Sequence, residues 1–169
     1  MKKQINIIVA IGRQNQIGLN GSMPWKLSDD LKNFRRITTD HIVIMGRKTY
    51  DSIGKPLSKR LNYIITGNFG RRAKCGAWLF KSIEDALKKA QTFNKEIFII
   101  GGASIYEQTL DTANRLIVTH VDYEGKADTF FPKINYDEWK IVDEKHFQKN
   151  NKNEYDFRVV TYVRKKNKS

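Results

Sequence analysis

Two adjacent carboxylates, Asp29 and Asp30, follow the rigid turn Met23-Pro24-Trp25 where a helix is predicted to begin near Ser28. Helical periodicity separates them. Leu27, Leu31, Phe34 and Thr38 recur at i, i+4, i+7 and i+11, the spacing of a stripe turned toward a core. Asp30 stands three residues after Leu27 and four before Phe34, so it lies on that stripe. Asp29 falls on the flank with Lys26, Asn33 and Arg36 and is expected in solvent. A carboxylate on an apolar face costs free energy unless something satisfies it, and such groups concentrate where chemistry is done. The plainer reading has Ser28 capping the helix and both aspartates complementing its dipole. That accounts for Asp29 and leaves Asp30 unexplained.

Two other segments join strand, glycine and helix. In Ile97-Phe98-Ile99-Ile100-Gly101-Gly102-Ala103-Ser104-Ile105-Tyr106 the glycine pair lets backbone approach a ligand, and the helix start offers free N–H groups to an anion. It lacks the full G-x-G-x-x-G pattern, so a standard Rossmann site is not supported, and an ordinary strand-to-helix turn stays open. Ile42-Val43-Ile44-Met45-Gly46-Arg47-Lys48-Thr49 repeats the plan with two bases at the helix opening, where positive charge opposes the dipole. That placement suits a bound phosphate, or else two solvated bases. Arg60, after the turn Gly54-Lys55-Pro56-Leu57-Ser58-Lys59, presents a planar fork that fits a carboxylate; taken alone it is surface charge.

The elements that must hold these groups are legible. Buried strands are predicted at Ile5–Ile11, His41–Met45, Asn62–Thr66, Glu96–Ile100 and Arg115–Val121, and helices after Ser28, at Arg47–Ser52, at Ile83–Ala90 and at Ala103–Glu107. Trp139 to Phe147 and Tyr155 to Arg164 look like paired strands, with Tyr155, Phe157, Val159, Thr161 and Val163 on one face. The pattern predicts an α/β protein with a mostly parallel sheet, helices on both faces and an antiparallel C-terminal edge. Ligands of such sheets bind beyond the carboxyl ends of the strands, where Gly12, Gly46, Gly67 and Gly101 fall.

Bulk properties narrow the class. The 169 residues fit one domain, 1–169, and no linker or repeat divides them. No apolar run approaches the roughly 20 residues that span a bilayer, and no signal-peptide pattern opens the chain. Cys75 is the single cysteine, which excludes an intramolecular disulfide and suits a cytoplasmic setting. His41, His120 and His146 lack metal-ligand spacing, so no metal is expected. The net charge is +13, and residues 1–85 carry 16 of the 31 bases but only 6 of the 18 acids. Between Ser52 and Ile83 there is no acid, against Lys55, Lys59, Arg60, Arg71, Arg72, Lys74 and Lys81, a field that attracts anionic ligands or serves solubility. The tail Arg164–Ser169 is expected to fray.

Taken together, the segments resemble dihydrofolate reductase of the bacterial chromosomal type. The resemblance rests on Ile8-Val9-Ala10, Ile17-Gly18, Met23-Pro24-Trp25, Asp30-Leu31 with Phe34, Met45-Gly46-Arg47-Lys48-Thr49, Ser52-Ile53-Gly54-Lys55-Pro56-Leu57, Arg60, Ile100-Gly101-Gly102-Ala103, Tyr106, Leu116-Ile117-Val118-Thr119-His120 and Asp128-Thr129-Phe130-Phe131-Pro132, in family order and spacing. It implies a single domain with about eight strands in the central sheet, and NADPH-dependent reduction of 7,8-dihydrofolate to tetrahydrofolate, serving one-carbon and thymidylate metabolism.

By the same resemblance, Asp30, Trp25 and Thr119 form the catalytic set. Asp30 accepts two hydrogen bonds from the pterin, Thr119 ties it to the substrate, and a water near Trp25 supplies the proton. The substrate set adds Ile8, Val9, Leu31, Phe34, Ile53, Leu57, Ile100 and Tyr106, with Arg60 on the glutamate carboxylate and Arg35 and Lys55 as outer attractors. Around the nicotinamide stand Ala10, Ile17, Gly18, Ile100 and Tyr106. Gly101, Gly102, Ala103, Ser104 and Ile105 take the pyrophosphate and ribose, and the family's glycine-pair peptide is cis. Arg47, Lys48, Thr49, Thr66 and Gly67 serve the adenosine side and its 2′-phosphate. Gly46, Ile65, Lys81, Gln108 and the lid residues Leu19, Asn20 and Ser22 complete the cofactor set.

Residues Gly12 to Lys26 match the family's mobile lid. Gly67 departs from the usual hydroxyl residue, which puts one phosphate hydrogen bond in doubt, and Gly21 and Ser22 suggest a more flexible lid. Expected partners are dihydrofolate and antifolate inhibitors, with no membrane and no specific nucleic acid beyond weak RNA binding by the basic surface; a monomer suffices. The rival classes are a nucleic-acid-binding protein, which lacks any RNP, KH or helix-turn-helix pattern, a riboflavin-precursor reductase, and a non-catalytic folate binder.

Overall fold

Short runs of isoleucine and valine make the centre of the molecule, because β-branched side chains pack well on a pleated surface covered on both faces. The computed structural model describes residues 3–67 and 76–166. Arg71, Arg72, Lys74 and Cys75, and the terminal residues 1–2 and 167–169, lie outside the described residues. In chain order the elements are β1 (Ile5–Ile11), β2 (Gln16–Gly18), α1 (Ser28–Thr38), β3 (Ile42–Gly46), α2 (Arg47–Ile53), β4 (Leu61–Ile65), β5 (Ala77–Phe80), α3 (Ile83–Ala90), β6 (Ile97–Gly101), α4 (Ala103–Thr109), β7 (Arg115–Val121), β8 (Thr129–Phe130), β9 (Trp139–Phe147) and β10 (Phe157–Arg164).

Eight strands form one sheet in the order β5-β4-β3-β6-β1-β7-β10-β9. Neighbours from β5 to β7 are parallel, and β10 and β9 add an antiparallel edge. This matches the predicted architecture. Successive residues of each strand enter opposite layers. Ile7, Val9, Ile11, Ile42 and Ile44 pack with Ile83, Ala86 and Ala90 of α3 and Ile105 and Tyr106 of α4. Ile8, Val43 and Met45 pack with Trp25, Leu27 and Tyr50, and Phe34 and Ile37 of α1 lean on the same layer. Ile7, Ile42, Ile44, Ile97 and Ile99 are fully buried, each worth about 1.5–3 kcal/mol, so the sheet centre can hold costly groups at its rim.

Several expectations needed revision. Strand β5 was not anticipated, since four residues carry too short a pattern, and β2 and β8 form a separate small ribbon inside the predicted loops. The expected alternation of β10 holds at Tyr155, Phe157 and Val159, and the slip in its pairing between Thr161 and Tyr162 comes from an extra residue, Val142, on β9. Phe157 and Val159 face one layer and Val160 and Tyr162 the other, as a two-residue period requires. Arg164 does not fray. Its guanidinium lies 4.3 Å from the Trp139 ring centroid and donates to the carbonyls of Ala113 (3.0 Å) and Leu110 (2.7 Å).

Candidate functional site

Helix α1 does place Asp30 where its periodicity implied. The Thr119 hydroxyl of β7 donates to Asp30 Oδ1 at 2.6 Å, joining residues 89 apart in sequence. Burial pushes the Asp30 carboxyl above the usual range, and the Thr119 hydrogen bond only partly opposes that. Trp25, 4% exposed, fixes the chain entering the helix by packing edge-on to Tyr123 at 5.3 Å. The stripe itself is only half buried, because Leu27 and Thr38 are covered while Leu31 is 54% exposed.

Asp29 and Ser28 behave differently from the prediction. The residue before the helix turn is Leu27, in extended conformation and with no side-chain cap, so Ser28 does not cap. The missing acceptor comes from Asn153 in the β9–β10 connection, whose Oδ1 accepts from the Asp29 N–H at 3.1 Å. Asn153 Nδ2 then donates to Asp29 Oδ2 at 2.8 Å, so Asp29 is tied down rather than solvated. No local sequence signal points to Asn153, because its partner lies 124 residues away.

Beyond the C-terminal end of α1, Arg60 is held in place by the fold. Its NH1 donates to Thr38 Oγ1 at 3.2 Å, its Nε donates to the Ser58 carbonyl at 2.9 Å, and its guanidinium lies 5.9 Å from the Phe34 ring. Buried Asn62 shapes the preceding turn by accepting from the Leu57 N–H and donating to the carbonyls of Leu57 and Arg60. Burial and the neighbouring Arg35 charge lower the Arg60 pKa, so two guanidiniums share this rim. In the segment leading to that turn, Ile53 is 37% exposed and Lys55 is exposed.

The glycine pair lies two strands away. Since β6, β1 and β7 are adjacent, Gly101 and Thr119 flank the end of β1, about 10 Å apart at the usual strand spacing. The Gly101–Gly102 peptide is cis. A side chain at Gly101, whose φ is +125°, would meet the Tyr106 ring at 3.3 Å and Thr49 Oγ1 at 3.5 Å. Tyr106 is buried and its hydroxyl donates to the Ile8 carbonyl at 2.9 Å, which locks α4 to β1 and raises its pKa through burial. At the start of α2, Arg47 pairs with Asp51 at 3.2 Å, so the dipole conflict noted in the sequence is offset within the helix. Lys48 is exposed and Thr49 half buried beside the glycine pair.

The lid segment is folded over this end of the sheet. Asp128 Oδ2 accepts from the Asn20 N–H at 2.9 Å and the Asp128 N–H donates to the Gly18 carbonyl at 2.9 Å. Ser52 of α2 donates to the Gly21 carbonyl at 2.9 Å, so the lid tip reaches across to that helix. Not every predicted site residue turns its side chain this way. Val9 enters the opposite core and offers only backbone, Gln108 bonds back to Ser104, and Lys81 stands exposed past β5. Neither Asn62, Asn153 nor Ser52 was picked out from sequence, although Ser52 lay within a quoted motif. A cavity of about 610 Å3, lined by His120, Tyr136, His146 and Arg158 among others, takes in Gly12, Arg13 and Asn15 at the start of the lid segment but none of the predicted catalytic, substrate or cofactor residues. Its charges are paired internally, Arg13 with Asp122 and Arg158 with Glu144.

Comparison with known proteins places this geometry. Residues 4–164 match the family model described as dihydrofolate reductase. The chain is 39% identical over 160 residues to the dihydrofolate reductase of Haemophilus influenzae, covering 95% of this chain and 98% of that one. It is 36% identical over 161 residues to the Bacillus subtilis enzyme of the same name, covering 95% of each. Among solved structures, dihydrofolate reductase from Enterococcus faecalis complexed with NADP(H) and RAB-propyl superposes with a TM-score of 0.89 at 28% identity, covering 98% of this chain and 100% of that one.

Proposed function

The chain belongs to the dihydrofolate reductase family and catalyses NADPH-dependent reduction of dihydrofolate to tetrahydrofolate; on that premise we propose which of its residues do the work. The observation that carries the assignment is the 2.6 Å Thr119–Asp30 hydrogen bond at the rim of the sheet. Thr119 occupies one lone pair of Oδ1 and leaves both carboxylate oxygens able to accept, so Asp30 can take two parallel N–H donors from the pterin. Charge-assisted bonds of that kind offset the desolvation that raises its pKa.

The residues present fit the cofactor by the chemistry of their donors. Lys48 is exposed and cationic at the end of β3, Thr49 brings a hydroxyl to the glycine pair, and the lid covers the same end of the sheet. Bound NADPH supplies the hydride. Arg47, Lys48 and Thr49 hold its phosphates, with Thr66 and Gly67 beside them, and the cations select for the 2′-phosphate. Tyr106, Ile100 and Ala10 would flank the nicotinamide. Closure of the lid over Trp25 keeps bulk water from the reacting faces.

Asp30 does not itself deliver the proton. It favours the protonated substrate by holding the pterin N–H groups, and the proton arrives through water on the Trp25 side. Arg60, fixed by Thr38 and Asn62, takes a carboxylate of the substrate tail, with Arg35 and Lys55 drawing it in. Antifolates compete for the same carboxylate. The chain works as a monomer in the cytoplasm, the compartment that its lone cysteine suits; no helix among the described residues is long and apolar enough to cross a membrane.

The test follows NADPH absorbance with dihydrofolate in wild type, Asp30→Asn and Asp29→Asn. Asp30→Asn is expected to lose most activity at neutral pH while Asp29→Asn stays within about twofold, since an amide oxygen at 29 still accepts from Asn153. Equal losses would remove Asp30 from its assigned place.

A further inference from the structure

Leucine cannot accept a hydrogen bond through its side chain, so α1 begins without a cap of its own at Leu27. Four N–H groups at a helix start need partners, and the turn they belong to here carries Asp30. The partner arrives from the opposite end of the chain. Residues Lys152–Glu154 run antiparallel beside Lys26–Ser28: the Ser28 N–H donates to the Lys152 carbonyl at 3.1 Å and the Glu154 N–H to the Lys26 carbonyl at 3.0 Å. Between them Asn153, 1% exposed, binds Asp29 through both ends of its amide. Asn153 is itself held, since Asn150 Oδ1 accepts from its N–H at 2.9 Å.

We propose that Asn153 is a positioning residue for Asp30, a cap supplied from a distant segment of the same chain that fixes the first turn of α1 and so aims the Asp30 carboxylate at Thr119 and the substrate. The proposal rests on Asp30 being the pterin-binding group. The strap joins α1 between two site residues, Trp25 and Asp30, and its Asn153 side chain accepts the Asp29 N–H of that turn. Asp29 is its anchor, which explains why two adjacent aspartates on one helix turn do different jobs. Without the cap, the first turn frays, water reaches Asp30, and its pKa falls back toward the ordinary carboxylate value. Thr119 is the one side chain hydrogen-bonded to Asp30 among the described residues, and no charged group contributes to its shift.

The experiment compares full-length Asn153→Ala, Asn153→Asp, Asp29→Asn, the double variant Asn153→Asp/Asp29→Asn, and Asp30→Asn. Measurements are KM and kcat for dihydrofolate across pH, with the NADPH dissociation constant by fluorescence. Asn153→Ala is expected to lower kcat/KM about tenfold, within the range that cap loss spans, and to move the acid limb of its pH profile to lower pH. NADPH binding stays within about twofold, a pattern general destabilisation would not give. Asn153→Asp keeps an acceptor for the Asp29 N–H but sets its carboxylate against that of Asp29, and it too loses activity. Adding Asp29→Asn exchanges acceptor and donor in the side-chain pair, restores the bond that Asn153→Asp broke, and recovers most of the activity and the wild-type pH profile. This rescue keeps the test valid if Asn153→Ala fails to fold. A wild-type profile in Asn153→Ala, or a double variant no better than Asn153→Asp, overturns the positioning role while leaving Asp30 intact if Asp30→Asn is impaired. Full activity in Asp30→Asn overturns both readings.

Discussion

Thr119 and His120 are neighbours on β7, yet they face opposite sides of the sheet and serve different ends. On one side Thr119 donates to Asp30, and burial raises the Asp30 pKa. On the other, His120 Nε2 and the Tyr162 hydroxyl are 2.9 Å apart, and burial, helped by Arg158, drives the imidazole pKa from 6.5 down to about 4. Desolvation therefore favours the neutral form of both groups and does not by itself mark a site. The difference lies in what surrounds them. Around His120, aromatic rings of Tyr136 and Tyr162 and an internally paired Arg158–Glu144 leave little for a ligand to satisfy. Asp30 keeps acceptor capacity open beside exposed Leu31, and a ligand is what completes it.

The comparison breaks most easily at its functional arm. Asp30→Asn is expected to lower kcat/KM by about a hundredfold at neutral pH, with activity rising as pH falls because the substrate must then be protonated by solvent. His120→Gln should stay within about twofold; a comparable loss there would erase the distinction between the faces. A charge outside both faces sharpens it. Lys48→Ala should raise KM for NADPH about tenfold, the effect of one charge-assisted bond, and the defect should shrink in high salt, unlike that of Asp30→Asn.

Stability against pH separates the two groups by sign. A carboxyl whose pKa is raised on folding binds more protons folded than unfolded between its two pKa values, so stability falls as pH rises through that window. Asp30→Asn should therefore melt above wild type at neutral pH and match it below the ordinary carboxyl value near 3.8. For His120 the pKa is depressed, so its contribution is present above 6.5 and lost as pH falls toward about 4. Calorimetry of His120→Gln should show a shallower acid loss across that interval. The smallest effect is expected at the rim. Lys59, at φ 59°, occupies a left-handed position that glycine adopts without strain, and Lys59→Gly should stabilise by about 1 kcal/mol, or about 2–4 °C in Tm.

Strands were legible where the run of β-branched residues was long, as at Ile5–Ile11 and Arg115–Val121, which the structure reproduces residue for residue. Shorter β5 and the β2–β8 ribbon escaped because three or four residues carry no periodicity. The face of Asp30 was legible from helical spacing, since that depends only on neighbours within two turns. Its partner Thr119 came through family resemblance, not spacing. The cap was misread: Ser28 has the right chemistry one residue too late, and the true acceptor, Asn153, left no local trace. Similarly, Arg164 read as tail because nothing nearby announces Trp139, Ala113 and Leu110 as its partners.

What the sequence determined by itself is therefore local: which segments alternate or repeat, which face of α1 carries Asp30, where glycines end strands, and the charge that favours anionic ligands. Each follows from the period of a helix or strand or from side-chain type. The tertiary structure decided which distant groups meet: Thr119 with Asp30, Asn153 with Asp29, Thr38 and Asn62 with Arg60. It also decided which buried titratable group keeps an open acceptor and which is already satisfied. Hydrogen bonds reach only about 3 Å, and no pattern within one element can say what the fold brings that close.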